Sequence, residues 1–225
     1  MSMHEIFGKF RNVGIIPVIV MKNADYAEKL ADILCDNGLP CAEVTFRTEA
    51  AAKVIELMAK QRPDMLVGAG TVLTVAEVDM AIAAGAQFIV SPGLNPAVVK
   101  YCQERNIPMA PGTQTPSEME QAISLGIDFV KFFPAEQSGG LSMIKAVAAP
   151  YGQLSFMPTG GINADNVRQY LQDERIVACG GSWMVKEELL EAGNWKKIAK
   201  LVQEAAAIVQ ETRGQAHSDK HLLAS

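Results

Sequence analysis

The stretch DFVKFFPAE, residues 128–136, places Lys131 in the middle of a run that otherwise reads as a buried strand. A strand of a parallel sheet is covered on both faces, and an unpaired ammonium there is costly to keep charged. Side chains of a strand alternate with period two, so Phe129, Lys131 and Phe133 share one face while Val130 and Phe132 share the other. The same rule in CAEVTFR groups Glu43, Thr45 and Arg47 against Ala42, Val44 and Phe46. With the apolar sets turned toward covering helices, Lys131, Glu43 and Arg47 point into a common interior, Arg47 at its C-terminal mouth. Barrel interiors are usually filled by branched apolar side chains, so this set asks for a chemical reason. The structural alternative is a buried glutamate–lysine ion pair kept for specificity.

A free lysine amine holds its proton up to about pH 10.4. Desolvation among Phe129, Val130, Phe132 and Phe133, with Arg47 near, disfavours the ammonium, and a neutral buried lysine attacks carbonyls. The product is a Schiff base whose iminium withdraws electrons, so that a carbon–carbon bond one atom further on can break to leave an enamine. That is an aldol cleavage without a metal. It needs a group to move protons, and Glu43 is the titratable side chain placed to do so. Arg47 has the bidentate fork that clamps a substrate carboxylate.

Two glycine pairs extend the set. PTGGIN, with Gly160 and Gly161 leading toward a helix expected to begin near Asn163, follows the seventh apolar run; CGGSW, with Gly180, Gly181 and Ser182, follows the eighth. Bare N–H groups in those two positions suit a phosphate. GAGTV, with Gly68 and Gly70, lacks the third glycine of a dinucleotide fingerprint, and Thr71 there is better placed to offer its hydroxyl to a carboxylate. No cofactor is expected, and no metal.

Other chemistries are disfavoured by what the chain lacks. His4, His217 and His221 all lie near the chain ends, which argues against a serine or thiol hydrolase and a histidine-ligated metal centre in the body. Cys35, Cys41, Cys102 and Cys179 are widely separated within apolar segments and read as reduced core residues. Met58, Met65, Met80 and Met119 read as core filler. A formal charge of -5 with only 20 Lys+Arg gives no basic stripe for nucleic acid. With 49% hydrophobic residues, no membrane-length apolar run and no leader, a cytoplasmic globular protein is expected.

Eight short apolar runs must position these residues: IIPVIV, CAEVTF, LVGAG, QFIVS, IPMAP, DFVKFF, LSFMP and IVACGG. They lie roughly 20 to 27 residues apart, room for one strand, one helix and two loops per unit. Helical stretches fill the gaps, ending at Gly38, Gly85 and Gly126. The pattern predicts a single α/β domain, a small (β/α)8 TIM barrel over residues 1–213, opened by a short extra helix over residues 2–11. An open doubly wound sheet is the alternative. The last helix is expected from about Asn194 to Arg213, and residues 214–225 are expected to form a polar, disordered tail.

The motifs EVTFRTEAA, VGAGTVL, GAQFIVSPGLNP, KFFPAE, PTGGIN and GGSWMV, in this order over nearly the whole chain, resemble the class I aldolases acting on 2-dehydro-3-deoxy-6-phosphogluconate (KDPG) and 4-hydroxy-2-oxoglutarate (KHG). The resemblance implies a homotrimeric (β/α)8 barrel yielding pyruvate and glyceraldehyde 3-phosphate, or pyruvate and glyoxylate. Lys131 would be the Schiff-base lysine and Glu43 the general acid/base. Arg47 and Thr71 would hold the pyruvyl carboxylate, Pro92 and Phe133 would line that pocket, and Thr159 would lie near the scissile bond. Gly160, Gly161, Gly181 and Ser182 would bind the phosphate. Gln114 stands where related sequences tend to carry a small or apolar residue, and a role in aldehyde choice is the expectation there. The alternatives are a sister aldolase acting on the galactonate epimer and a non-catalytic sugar-phosphate-binding barrel.

Overall fold

The computed structural model describes the backbone of residues 3–223 and the side chains of residues 5–214. Each apolar run becomes a parallel strand: β1 (Ile15–Ile19), β2 (Cys41–Thr45), β3 (Leu66–Gly70), β4 (Ile89–Val90), β5 (Met109–Ala110), β6 (Gly112–Thr113), β7 (Phe129–Phe132), β8 (Ser155–Pro158) and β9 (Cys179–Gly181). Nine strands replace the eight expected because IPMAPGT is divided at Pro111, which has no N–H to give to a ladder. Its two halves join a six-stranded sheet ordered β5-β4-β3-β2-β1-β9 to a three-stranded sheet ordered β6-β7-β8. The ring closes where β9 pairs with β1 and where isolated bridges link Phe156 to Ile176 and Thr159 to Gly180. Closure rules out the open doubly wound sheet and leaves a (β/α)8 barrel.

Helices α2 (Ala27–Asp36), α3 (Ala51–Gln61), α4 (Val75–Ala83), α5 (Pro96–Glu104), α6 (Pro116–Ser124), α7 (Gly140–Ala148), α8 (Val167–Leu171), α9 (Glu187–Glu191) and α10 (Trp195–Leu223) surround the strands. Local sequence sets several starts. Thr74 and Thr115 each form a capping box with the glutamate three residues on, and Asn95 caps α5 ahead of Pro96. The helix expected near Asn163 starts later, at Val167, because the Asn163 side chain accepts from the N–H groups of Asp165 and Asn166 and spends those residues on a turn. The backbone of α10 continues past Arg213 to Leu223, a correction to the expected boundary. Gly214 is the least favourable residue for helix there, at about 1 kcal/mol, and it lies among helix formers such as Gln210, Glu211 and Gln215. Ala224 and Ser225 lie outside the described residues.

The alternation rule holds on both strands that matter. Ala42, Val44, Val130 and Phe132 pack with the helices, whereas Cys41 and Phe129 face inward with Ile16, Phe88 and Met157. The helix α1 (Met3–Val13) closes the N-terminal end of this interior, with Phe10 edge-on to Phe88 at 4.9 Å and Phe7 against Phe129 at 4.5 Å. Burying each such ring contributes about 1.5–3 kcal/mol. Met58, Met65 and Met119 are buried as expected, but Met80 on α4 is exposed, as are Leu73 and Val75. Among the described residues no helix is long and apolar enough to cross a membrane.

Candidate active site

One pleat above the aromatic floor the interior changes character. Lys131 on β7 and Glu43 on β2 reach across the lumen to each other, Nζ donating to Oε1 at 3.2 Å. Glu43 is fully buried and Lys131 is 5% exposed. Two glycines on β3 make this possible. A Cβ at Gly70 would lie 2.3 Å from Glu43 Oε1, and one at Gly68 would lie 2.4 Å from the Phe88 ring below. Among the described residues Glu43 Oε2 is buried with no hydrogen-bond partner. A buried carboxylate oxygen left unsatisfied is costly.

The other expected residues lie at or just past the C-terminal ends of the strands. Lys131 Nζ lies 5.2 Å from the centre of the Phe133 ring. Arg47 stands exposed just past β2. Thr71, just past β3, has φ 55°, a conformation a β-branched residue adopts at a cost of about 1–3 kcal/mol. Such strain turns the residue at the strand end from its ordinary direction. Thr45 shares the inward face, but its hydroxyl is spent on the Ile19 carbonyl at 2.9 Å. Pro92 is half-buried, and its carbonyl oxygen would lie 2.1 Å from a Cβ at Gly112, so the loop after β4 touches β6.

The Thr159 hydroxyl is buried and unpartnered among the described residues, and it would lie 2.3 Å from a Cβ at Gly180. Gly181 passes under the Trp183 ring, 2.0 Å from where its Cβ would be, and Ser182 is exposed beside it at the edge of a cavity of about 260 Å³ shared with Val18 and Val20. Gly160 and Gly161 turn with φ 102° and 77°. Their carbonyl oxygens are engaged, Gly160 accepting from Glu136 N–H at 3.0 Å and Gly161 from Asn166 Nδ2 at 3.0 Å. Neither glycine N–H donates to another backbone group among the described residues.

Gln114 does not stand free at the mouth. Its amide donates to the Ser138 hydroxyl in the loop after β7, and its N–H donates to Glu118 Oε2 at 2.7 Å. Sequence reading missed Asn163 and Asn166, whose side chains hold the Gly161 carbonyl. The signal was present as two asparagines and an aspartate in the residues 162–166 that follow the glycine pair, a turn-forming composition. Among the described residues no three His, Cys, Asp or Glu side chains come together as a metal-ligand set.

With this geometry in view, similarity to known proteins is specific. Residues 6–201 match the aldolase family described as KDPG and KHG aldolase. The 2-dehydro-3-deoxy-phosphogluconate aldolase of Haemophilus influenzae is 52% identical over 209 residues, 93% of this chain and 99% of that protein. The crystal structure of the 2-keto-3-deoxy-6-phosphogluconate aldolase of Zymomonas mobilis with 3-phosphoglycerate superposes with a TM-score of 0.85 at 37% identity, covering 92% of this chain and 97% of the other. The KDPG aldolase of Legionella pneumophila, with pyruvate captured as a covalent carbinolamine intermediate, also gives 0.85, at 39% identity over 88% of this chain and 97% of its own. The inward-facing lysine and glutamate, the glycine loops and these matches together place the chain in the KDPG and KHG aldolase family.

Proposed function

We propose that this protein is a class I aldolase that cleaves 2-dehydro-3-deoxy-6-phosphogluconate to pyruvate and glyceraldehyde 3-phosphate, and 4-hydroxy-2-oxoglutarate to pyruvate and glyoxylate. The observation that carries the reading is the buried Lys131–Glu43 contact of 3.2 Å with Glu43 Oε2 unpartnered. Proton transfer along that contact turns a buried ion pair into a neutral amine and a neutral acid. The amine adds to the C2 carbonyl of the substrate; Glu43 returns a proton to the departing hydroxyl, and water leaves as the iminium forms. Electrons of the C3–C4 bond then flow to the iminium while the C4 hydroxyl proton passes to Glu43, which releases the aldehyde. Reprotonation of the enamine at C3 and hydrolysis free pyruvate and regenerate Lys131.

In this reading Arg47 and Thr71 hold the carboxylate common to both substrates, and Pro92 and Phe133 form its walls. Thr159 directs its free hydroxyl at the C4 oxygen. Gly160, Gly161, Gly181 and Ser182 take the terminal phosphate, as the free N–H groups of the first two support. The gluconate substrate is favoured over its galactonate epimer because the relative at 52% identity carries the gluconate name. We place the protein in the cytoplasm, in the Entner–Doudoroff route, as a homotrimer; the exposed Leu73, Val75 and Met80 supply an apolar surface for subunit contact. Sedimentation at a trimer mass supports that assembly, and a monomer mass at working concentration contradicts it.

The test is pyruvate release, coupled to a lactate dehydrogenase and run with a chelator present. Turnover of the gluconate substrate well above that of the galactonate epimer is expected. Turnover that needs an added divalent metal, or none on any of the three substrates, overturns the reading.

A further inference from the structure

The glycine loop after β8 has no long helix behind it, since α8 spans only Val167–Leu171, so something else must fix its shape. Gly161 lies directly on the stem of Glu136: a Cβ there would sit 2.6 Å from Glu136 Cβ and 2.7 Å from Cγ. Two backbone bonds join the same loops, Ala135 N–H to the Thr159 carbonyl at 2.8 Å and Glu136 N–H to the Gly160 carbonyl at 3.0 Å. The carboxylate of Glu136 is held in turn by the hydroxyl of Tyr170, a residue whose ring is wholly buried in the core. Gly140 leaves the space for that bond, because a Cβ there would approach the Tyr170 hydroxyl to 3.0 Å and Glu136 Oε1 to 3.1 Å.

Packing fixes the Tyr170 ring, the ring fixes the hydroxyl, and the hydroxyl fixes a carboxylate whose stem lies against the glycine turn. Burial, and then the bond to Glu136, push the Tyr170 hydroxyl far above its ordinary range, so it remains a donor at every working pH. A hydrogen bond to a charged acceptor is stronger than a neutral one. Without it, Glu136 is free to swing toward the mouth, where its negative charge opposes an incoming phosphate.

We propose that Tyr170 is a positioning residue for phosphate recognition: through Glu136 it holds Gly160 and Gly161 in the turn that presents their N–H groups, and it keeps the Glu136 carboxylate away from the substrate. This role rests on the reading of that glycine turn as the phosphate cradle. Neither Tyr170 nor Glu136 takes part in the Lys131 chemistry.

The experiment compares wild type, Tyr170→Phe, Glu136→Ala, the double variant and Glu136→Gln on the phosphorylated gluconate substrate and on unphosphorylated 4-hydroxy-2-oxoglutarate. Loss of a charge-assisted bond predicts a rise of about tenfold in KM for the phosphorylated substrate in each of Tyr170→Phe and Glu136→Ala, with no further rise in the double variant. Glu136→Gln, which keeps the stem and an acceptor, stays near wild type. The KM for 4-hydroxy-2-oxoglutarate, and trapping of pyruvate on Lys131 by borohydride, stay within about twofold, since the cradle touches neither. An unchanged KM for the phosphorylated substrate in folded Tyr170→Phe and Glu136→Ala overturns the role, and so does an equal loss on both substrates. Failure of the cradle itself shows without any variant: wild type that condenses pyruvate with glyceraldehyde as well as with glyceraldehyde 3-phosphate contradicts that reading and this role with it.

Discussion

Two layers of the same barrel interior, one pleat apart, are built from the same strands and do opposite things. On β2 the step runs from Cys41 to Glu43, and on β7 from Phe129 to Lys131. Below, Phe88, Phe129 and Met157 meet Phe10 of the N-terminal helix in an apolar floor with every ring in contact with another side chain. Above, a fully buried carboxylate keeps one oxygen without a partner, and a buried threonine hydroxyl does the same. The lower layer satisfies itself, whereas the upper layer is incomplete until a substrate enters. Stability and chemistry are thus stacked along one axis, and the pleat of the strand is what separates them.

Substitutions that respect this separation provide the tests. The largest effect belongs to Lys131→Met, which removes the nucleophile: turnover should fall by at least about 10⁴-fold while the folded state survives, as activity and circular dichroism together would show. Glu43→Gln should lower kcat by about 10²- to 10⁴-fold yet still permit slow adduct formation with pyruvate, because it removes a proton carrier and leaves the amine. Loss of adduct equal to that of Lys131→Met would instead mean that Glu43 is needed for the addition itself.

A pair of glycines two residues apart on β3 divides the layers more finely. Gly70→Ala pushes a methyl group onto Glu43 Oε1, so kcat should drop by about tenfold or more, the scale of displacing a group from reacting distance. Gly68→Ala pushes the same methyl group into the Phe88 ring and should destabilise folding by about 1–3 kcal/mol with kcat per folded molecule nearly unchanged. Urea unfolding combined with active-site titration by pyruvate trapping separates the two outcomes; equal effects on kcat would erase the boundary between the layers. The smallest effect expected is at the thiols. Burial pushes Cys102 up to about 12, and Cys35, half-buried, up to about 11. Slow alkylation of the folded protein at pH 8, with activity retained, should follow.

Much of this was legible in the residues, and the reason is periodicity. A lysine two residues from one phenylalanine and two from another can be assigned to a strand face by counting, and so can Glu43 against Ala42 and Val44. Helix ends at Gly38, Gly85 and Gly126 follow from local chemistry in the same way. What counting does not supply is contact between distant segments. The Tyr170–Glu136 bond joins residues 34 apart, and nothing in the local sequence of either announces the other. The Gln114–Ser138 contact, 24 apart, escaped for the same reason, although Gln114 drew notice as an unusual residue. Met80 shows the opposite failure: an apolar residue was assigned to the core by type, although an amphipathic helix can also turn it outward. The break of the fifth run at Pro111 has a local cause, but that its two halves join different sheets shows only in the pairing.

The central claim is that Lys131 forms the covalent bond to substrate, and one measurement addresses it directly. The protein is incubated with pyruvate and borohydride in the presence of a chelator, digested, and mapped by mass spectrometry. A reduced pyruvyl adduct on Lys131 is the result predicted. A folded protein with no adduct, or with its adduct on another lysine, would return Lys131 to a structural ion pair with Glu43 and contradict the account.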